Sequence, residues 1–357
     1  MLVSIPHAHN GWAARRVNVI AASPPLKGDG VMISFRRSAS GGSTRVGPRM
    51  STRGIGGAPL IALAVAAALF LAAAGAASTT AAKTYLYWTN YGVSGTGGSI
   101  GRANVGGTGV NQHFIKGAAG PVGVTVHGPY IYWSNPGVDA NSPGTTIGRA
   151  RVNGTHVNQH FISGANSPHT VVVSGNYIYW ASRLSNTIGR ANLNGTGVNQ
   201  SFITGAEGPW GLAVSGNYLY WTNYGAGGGS GGTTIGRANL DGTGANQSFI
   251  AGASAPAGIA VSGGFVYWAN QGANQTGTTI GRANLDGTGA NQSFIGGAHS
   301  PAGIAVNGPY IYWANFGGTH GVAGTTIGRA RLNGTGVNQS FVKGAKTPVG
   351  VFVARTG

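Results

Sequence analysis

The sixteen residues IGRANLDGTGANQSFI stand at 235–250 and again, letter for letter, at 280–295. Each copy is two short runs, IGRANL and NQSFI, separated by Asp-Gly-Thr-Gly. The runs carry β-branched and aromatic residues, and Asp-Gly supplies the positive φ angles of a tight hairpin turn. The stretch therefore predicts a β-hairpin, and its duplication raises the question of how far the repeat extends.

It extends over most of the chain. Tyr-Trp pairs end at Trp88, Trp133, Trp180, Trp221, Trp268 and Trp313, with spacings of 45, 47, 41, 47 and 45 residues. Each unit holds four short runs, which from Pro256 read AGIAV, FVYWAN, TTIGRANL and NQSFI. Four antiparallel strands per unit of 40–45 residues is the pattern of a propeller blade. The repeat opens on a second strand, TYLYWTN (84–90), and closes on a first strand, PVGVFV (348–353). Pairing these two orphans completes one blade and removes both free sheet edges. The expected fold is all-β, a six-bladed β-propeller closed by a C-terminal first strand on the N-terminal blade.

Composition agrees. Of 357 residues 67 are Gly, 8% are charged and none is Cys, so disulfides and thiolate metal sites are excluded. The net charge of +17 divides into eight Lys or Arg against one Asp before residue 83, and fourteen against four acids after it. From Met50 the chain shows a positive residue, an apolar run over 59–74 and small residues at 74–77, the layout of a secretory signal peptide. The run is also long enough for an uncleaved membrane anchor. Residues 1–49 are expected to be a disordered or untranslated extension, 50–77 a signal peptide of bacterial character, and 78–357 the propeller, secreted to the extracellular space or cell envelope as a monomer.

At these residues the chain resembles the YWTD (class B) repeats of the low-density-lipoprotein-receptor propellers, written here as YWTN…IGRANLDGTG…PAGIAV. The match spans about 84–353. Secreted bacterial six-bladed propellers and virginiamycin-B-lyase-like propellers are similar in fold. The motif's Asp is replaced by Asn90, Asn135, Asn223, Asn270 and Asn315, and by Ser182 in the third copy. In the family that carboxylate looks structural. Without it the recurring Arg102, Arg149, Arg190, Arg237, Arg282 and Arg329 lack an obvious counter-ion, and burying them unpaired is costly. They are expected to bond carbonyls or lie exposed at blade edges; an anion-binding ring is the functional alternative.

Catalytic readings fare poorly. Asp-Gly-Thr-Gly looks like an aspartic-protease turn, but the equivalent positions hold Gly106, Asn153, Asn194 and Asn333, and that chemistry needs two close carboxylates. His156 and His160 are four residues apart but bracket a strand start, with no helix to hold a metal between them, and the Gly-rich stretches are repeat turns or loops rather than nucleophile elbows or phosphate cradles opening helices. No catalytic residue, metal site or cofactor is assigned. The Asn-Gly-Thr and Asn-Gln-Ser triplets would accept glycans only in a eukaryotic host.

Where the copies disagree, binding is expected. The connections from second to third strand, and from fourth strand to the next blade, are irregular and share one face. After each blade's Pro stand Val122, His169, Trp210, Ala257, Ala302 and Val349. Two residues before it stand Ala119, Asn166, Glu207, Ser254, His299 and Lys346. After the motif's Asn or Ser stand Tyr91, Pro136, Arg183, Tyr224, Gln271 and Phe316. From these rings His169, Trp210, Glu207, His299, Lys346, Arg183, Tyr91, Tyr224 and Phe316 are the candidate ligand-binding residues. His169 and Trp210 either bind at the channel mouth or plug it. The expected partner is an extracellular peptide, glycan or cell-envelope polymer, with no specific nucleic acid, and a membrane only if the leader stays uncleaved. The alternative is a lyase or hydrolase of the virginiamycin-B-lyase-like kind, with Glu207, His169 and His299 supplying its chemistry.

Overall fold

The structure, a computed structural model, describes residues 83–91, 98–137, 143–225, 231–317 and 323–356. The extension and signal-peptide assignments, His320, Asp139 and most of the Gly-rich loop at 224–232 lie outside the described residues.

Twenty-four strands in the described residues form six four-stranded antiparallel sheets. Blade 1 is ordered β24 (Pro348–Thr356), β1 (Lys83–Asn90), β2 (Gly98–Asn104) and β3 (Asn111–Ala118) from the channel outward. The last strand of the chain thus supplies the innermost strand of the first blade, with Leu86 opposite Val353 and Trp88 opposite Val351. Blade 4 shows the uninterrupted order, β12 (Pro209–Ser215), β13 (Tyr218–Asn223), β14 (Thr234–Asn239) and β15 (Asn246–Ala251). Blades 2, 3, 5 and 6 occupy residues 124–162, 168–204, 256–295 and 301–343. The repeated sixteen-residue stretch is the outer half of blades 4 and 5.

Strand alternation explains the packing. Along β1, Leu86 and Trp88 face blade 6, while Tyr87 faces blade 2, so each sheet is apolar on both sides and joins two inter-blade cores. All six Tyr-Trp tryptophans are fully buried. Each lies over the Gly paired with it on the third strand, Trp221 over Gly236 for example. A Cβ at Gly236 would come within 2.1 Å of the indole.

The indole N–H is not left unpaired. Each Trp Nε1 donates to the Oε1 of a Gln on its own outer strand, at 2.9–3.2 Å. The same Gln uses Nε2 to donate to a backbone carbonyl in, or one residue past, the preceding blade's outer strand, at 3.0–3.3 Å. One of these six contacts, Gln112 to the Lys343 carbonyl, crosses the ring's closure. The Gln of each outer-strand NQ pair is the outer inter-blade clasp.

The recurring arginines depart from expectation. They are half-buried, neither exposed at blade edges nor held chiefly by carbonyls, and each guanidinium is sandwiched between two aromatic rings. Arg237 lies 4.5 Å from the Tyr218 centroid and 4.0 Å from that of Phe249. The other five repeat this arrangement within a few tenths of an ångström. A weakly hydrated planar cation stacks well on aromatic faces, which take the place of the counter-ion.

Candidate functional site at the channel mouth

The residue before each blade's Pro is Gly120, Ser167, Gly208, Ala255, Ser300 or Thr347. All six have positive φ, between 38° and 56°. Four of them are not Gly, so this left-handed turn is imposed by the fold rather than chosen by the residue. It swings the chain from the rim to the channel and places the residue after Pro at the mouth.

The connector is then clamped by the motif's Asn. The Asn223 Oδ1 accepts the Glu207 backbone N–H at 3.1 Å, while its Nδ2 donates to the Thr234 hydroxyl and the Gln247 carbonyl at 2.9 and 2.8 Å. Asn90, Asn135, Asn270 and Asn315 do the same for their blades. The amide is used as donor and acceptor together, which a carboxylate cannot match. In blade 3, where Ser182 stands instead, Thr187 takes over the bond to the outer-strand carbonyl, that of Gln200.

The mouth built this way is asymmetric. A cavity of about 260 Å³ is lined by Tyr91, Val122, Pro136, Gly137, Ser167, His169, Arg183, Leu184, Trp210, Phe316 and Val349. Val122 and Val349 pack with Ala302 beneath it, and Tyr91, Trp210 and Phe316 stand around that apolar floor. A separate cavity of about 300 Å³ fills the channel between the six innermost strands, with Thr125 and Thr170 as its only hydroxyl side chains.

Trp210 organises one side of the mouth. Its ring meets His169 edge-on at 4.2 Å between centroids and Tyr224 at 4.5 Å, and the Arg183 guanidinium lies 5.1 Å from Trp210 and 5.0 Å from Tyr224. His169 is buried, and its Nδ1 donates to the Ser167 carbonyl at 3.0 Å. Burial, reinforced by the nearby Arg183 charge, pushes the imidazole pKa down to about 3, so it is neutral at neutral pH. Burial likewise lowers the Arg183 pKa and raises that of Tyr224.

Of the nine candidate residues, five line the cavity: His169, Trp210, Arg183, Tyr91 and Phe316. Tyr224 is buried behind Trp210 and supports it. Glu207, His299 and Lys346 are exposed on the connectors and do not line the cavity; their backbone N–H groups serve the Asn clamps. Sequence reasoning passed over Leu184, which belongs to the irregular RLSN connection of blade 3, and Val122, Pro136 and Val349. The last three belong to the variable rings but carry no polar chemistry to draw attention. Among the described residues, no three His, Cys, Asp or Glu come together as a metal site would require.

The chain matches no protein-family model and no curated protein. Among solved structures it is similar in fold to a chain of a nidogen/laminin complex, with 18% identity over 76% of this chain and 98% of that one, at a TM-score of 0.59. A putative 6-phosphogluconolactonase from Bacteroides uniformis ATCC 8492 has 16% identity over 72% of this chain and 80% of that one, at 0.47. A streptogramin B lyase has 19% identity over 72% of each chain, at 0.44. At 18% identity the likeness to the nidogen/laminin chain is one of fold alone, and the fold is the one expected from the YWTD-like repeats.

Proposed function

We propose that this propeller is a secreted, non-enzymatic binding module that recognises an extracellular peptide, glycan or cell-envelope polymer at its mouth. The observation that carries this reading is the 260 Å³ cavity at the place where the six-fold repeat breaks down. Concave sites with aromatic walls and a few placed polar groups are the usual form of a ligand pocket. Tyr91, Trp210 and Phe316 provide the walls, and Arg183 a cation whose stacking on Trp210 and Tyr224 fixes it in advance. His169 and Trp210 border the same cavity, and binding there, rather than plugging of the channel, is the reading proposed.

Lyase or hydrolase chemistry finds less support. General acid–base catalysis needs titratable groups within reach of one reacting atom. Glu207 and His299 are exposed on separate connectors, and neither lines the cavity that His169 borders. His169 is committed to the Ser167 carbonyl through one ring nitrogen.

An array of extracellular peptides and glycans, probed with the wild-type chain and with Trp210→Ala and His169→Ala, tests the reading. Ala stands at the same position in blades 5 and 6, as Ala257 and Ala302, so the fold accommodates it. Specific binding that both variants lose is the expected result. Binding unchanged in the double variant would remove the mouth as the site.

A further inference from the structure

Among the described residues, the face that carries the mouth is electrically lopsided, and the repeat shows where. In each blade one row of paired residues runs outward from the channel. In blade 1 it reads Pro348, Asn90, Ser99, Lys116, and in blade 6 Pro301, Asn315, Thr326, Lys343. The rim end of this row is Ser163, Thr204, Ala251 or Gly296 in the other blades. A second variable position, two residues before each Pro, holds Lys346 between blades 6 and 1, and elsewhere Ala119, Asn166, Glu207, Ser254 and His299. These two rings contain three lysines, all exposed and all in one sector. The Gln112 side-chain amide donates to the Lys343 carbonyl, and the Lys346 N–H donates to the Asn90 Oδ1, so the backbone at Lys343 and Lys346 is tied to blade 1. The rings' one acid, Glu207, lies on the connector between blades 3 and 4, half-way round the ring.

The mouth cavity reaches toward the cationic sector. Tyr91 of blade 1 and Phe316 of blade 6 line it on that side, and Arg183 lines it toward blade 3. Neighbouring strands are about 4.8 Å apart, so Lys116 sits roughly 10 Å from Asn90 along its row, about one screening length at 0.1 M salt. A ligand seated against Tyr91, next in sequence to Asn90, is therefore within reach of the Lys116 field, and Arg183 lines the same cavity.

We propose that the ligand held at the mouth is a segment of an extracellular polymer with repeating anionic groups, carboxylate or phosphodiester. It leaves the cavity over the boundary of blades 6 and 1, along Lys346, Lys343 and Lys116, while Glu207 disfavours the opposite exit. This rests on the reading of the mouth as a binding site and narrows its partner to a polyanion.

The test uses the full chain, a polygalacturonate fragment, a poly(glycerol phosphate) fragment and a single-stranded DNA oligomer. The triple variant Lys116→Ser, Lys343→Ser, Lys346→Ser places at each position a residue that another blade already carries there, Ser163 or Ser254. The control, Arg151→Asn with Arg331→Asn, removes two exposed cations at the hairpin-turn end of the blades, where other blades carry Asn104 or Asn192. Wild type should bind one of the first two probes, and which one it binds distinguishes carboxylate from phosphodiester recognition. The triple variant should bind about tenfold more weakly or worse at low salt, with a salt dependence shallower by about two in log–log slope, and the control should stay within about twofold. Three results would overturn the proposal: no binding of either polymer, an equal loss in the control, or DNA bound as tightly as the better probe. A ligand from the array that Trp210→Ala loses and the lysine variant keeps would preserve the mouth as a site and reject the polyanion.

Discussion

At the scale of single residues, hydrogen-bond capacity and burial decide more than charge does. Asn223 is buried and spends its amide on one acceptor role and two donor roles. In Asn223→Asp the Thr234 hydroxyl can turn to donate, but the Gln247 carbonyl is left facing a carboxylate oxygen. A loss of about 1–3 kcal/mol in urea unfolding is expected, although the substitution restores the YWTD letter. His169 makes a pH-dependent prediction. Its folded pKa of about 3 lies below the ordinary 6.5, so the unfolded chain takes up a proton first as pH falls. Stability is therefore unaffected above pH 6.5 and declines between 6.5 and about 3, by up to roughly 1.4 kcal/mol per pH unit. Comparing wild type with His169→Ala by chemical denaturation across that range isolates the effect, and parallel pH profiles would refute it. The two Asp-Gly-Thr-Gly acids behave as turn residues. Asp241 and Asp286 are exposed and accept from the N–H and hydroxyl of Thr243 and Thr288, as Asn153, Asn194 and Asn333 do in their own turns. Those bonds hold both carboxyls below the usual carboxylate range.

At the scale of the blade, the constraints are steric and repeat with the sequence. The Gly of Ile-Gly-Arg exists because a fully buried indole covers it. Gly236→Ala must displace Trp221, which is held by Gln247 at 2.9 Å. Overpacking of this kind costs about 1–3 kcal/mol, and calorimetry should record it as a lowered melting temperature. The turn of blade 1 offers the opposite case. Gly106 occupies the Asn or Asp position, and a Cβ there would meet nothing within 4 Å. Gly106→Asn adds the missing side-chain acceptor and narrows the unfolded ensemble, so a gain of about 0.5–1 kcal/mol is expected on the same measurement. Strands and hairpin turns were legible in the sequence because they follow from β-branched and aromatic runs and from turn chemistry within about ten residues. The clasp made by Gln and the sandwich around each Arg were not. Each depends on strand register or a neighbouring blade, and a Gln or Arg beside a Phe looks the same whether or not another strand brings them together.

At the scale of the molecule, the last strand of the chain completes the first blade and closes the ring. Deleting 346–357 strips β24 from blade 1, exposes the edge of β1 and removes one wall of the channel. The deletion should abolish the single cooperative thermal transition and open the chain to limited proteolysis; a wild-type-like transition would mean that closure is dispensable. The sequence by itself determined the strand count, the blade order and the closing strand, because a period of about 45 residues with one orphan strand at each end admits one ring. It also located the rings of non-repeating residues. Only the tertiary structure decided which of them share a cavity. Tyr91, Arg183, Trp210 and Phe316 come from four blades and converge because the ring brings those blades round one axis. Glu207, His299 and Lys346 are exposed on the connectors outside the cavity, which no local pattern in the sequence records.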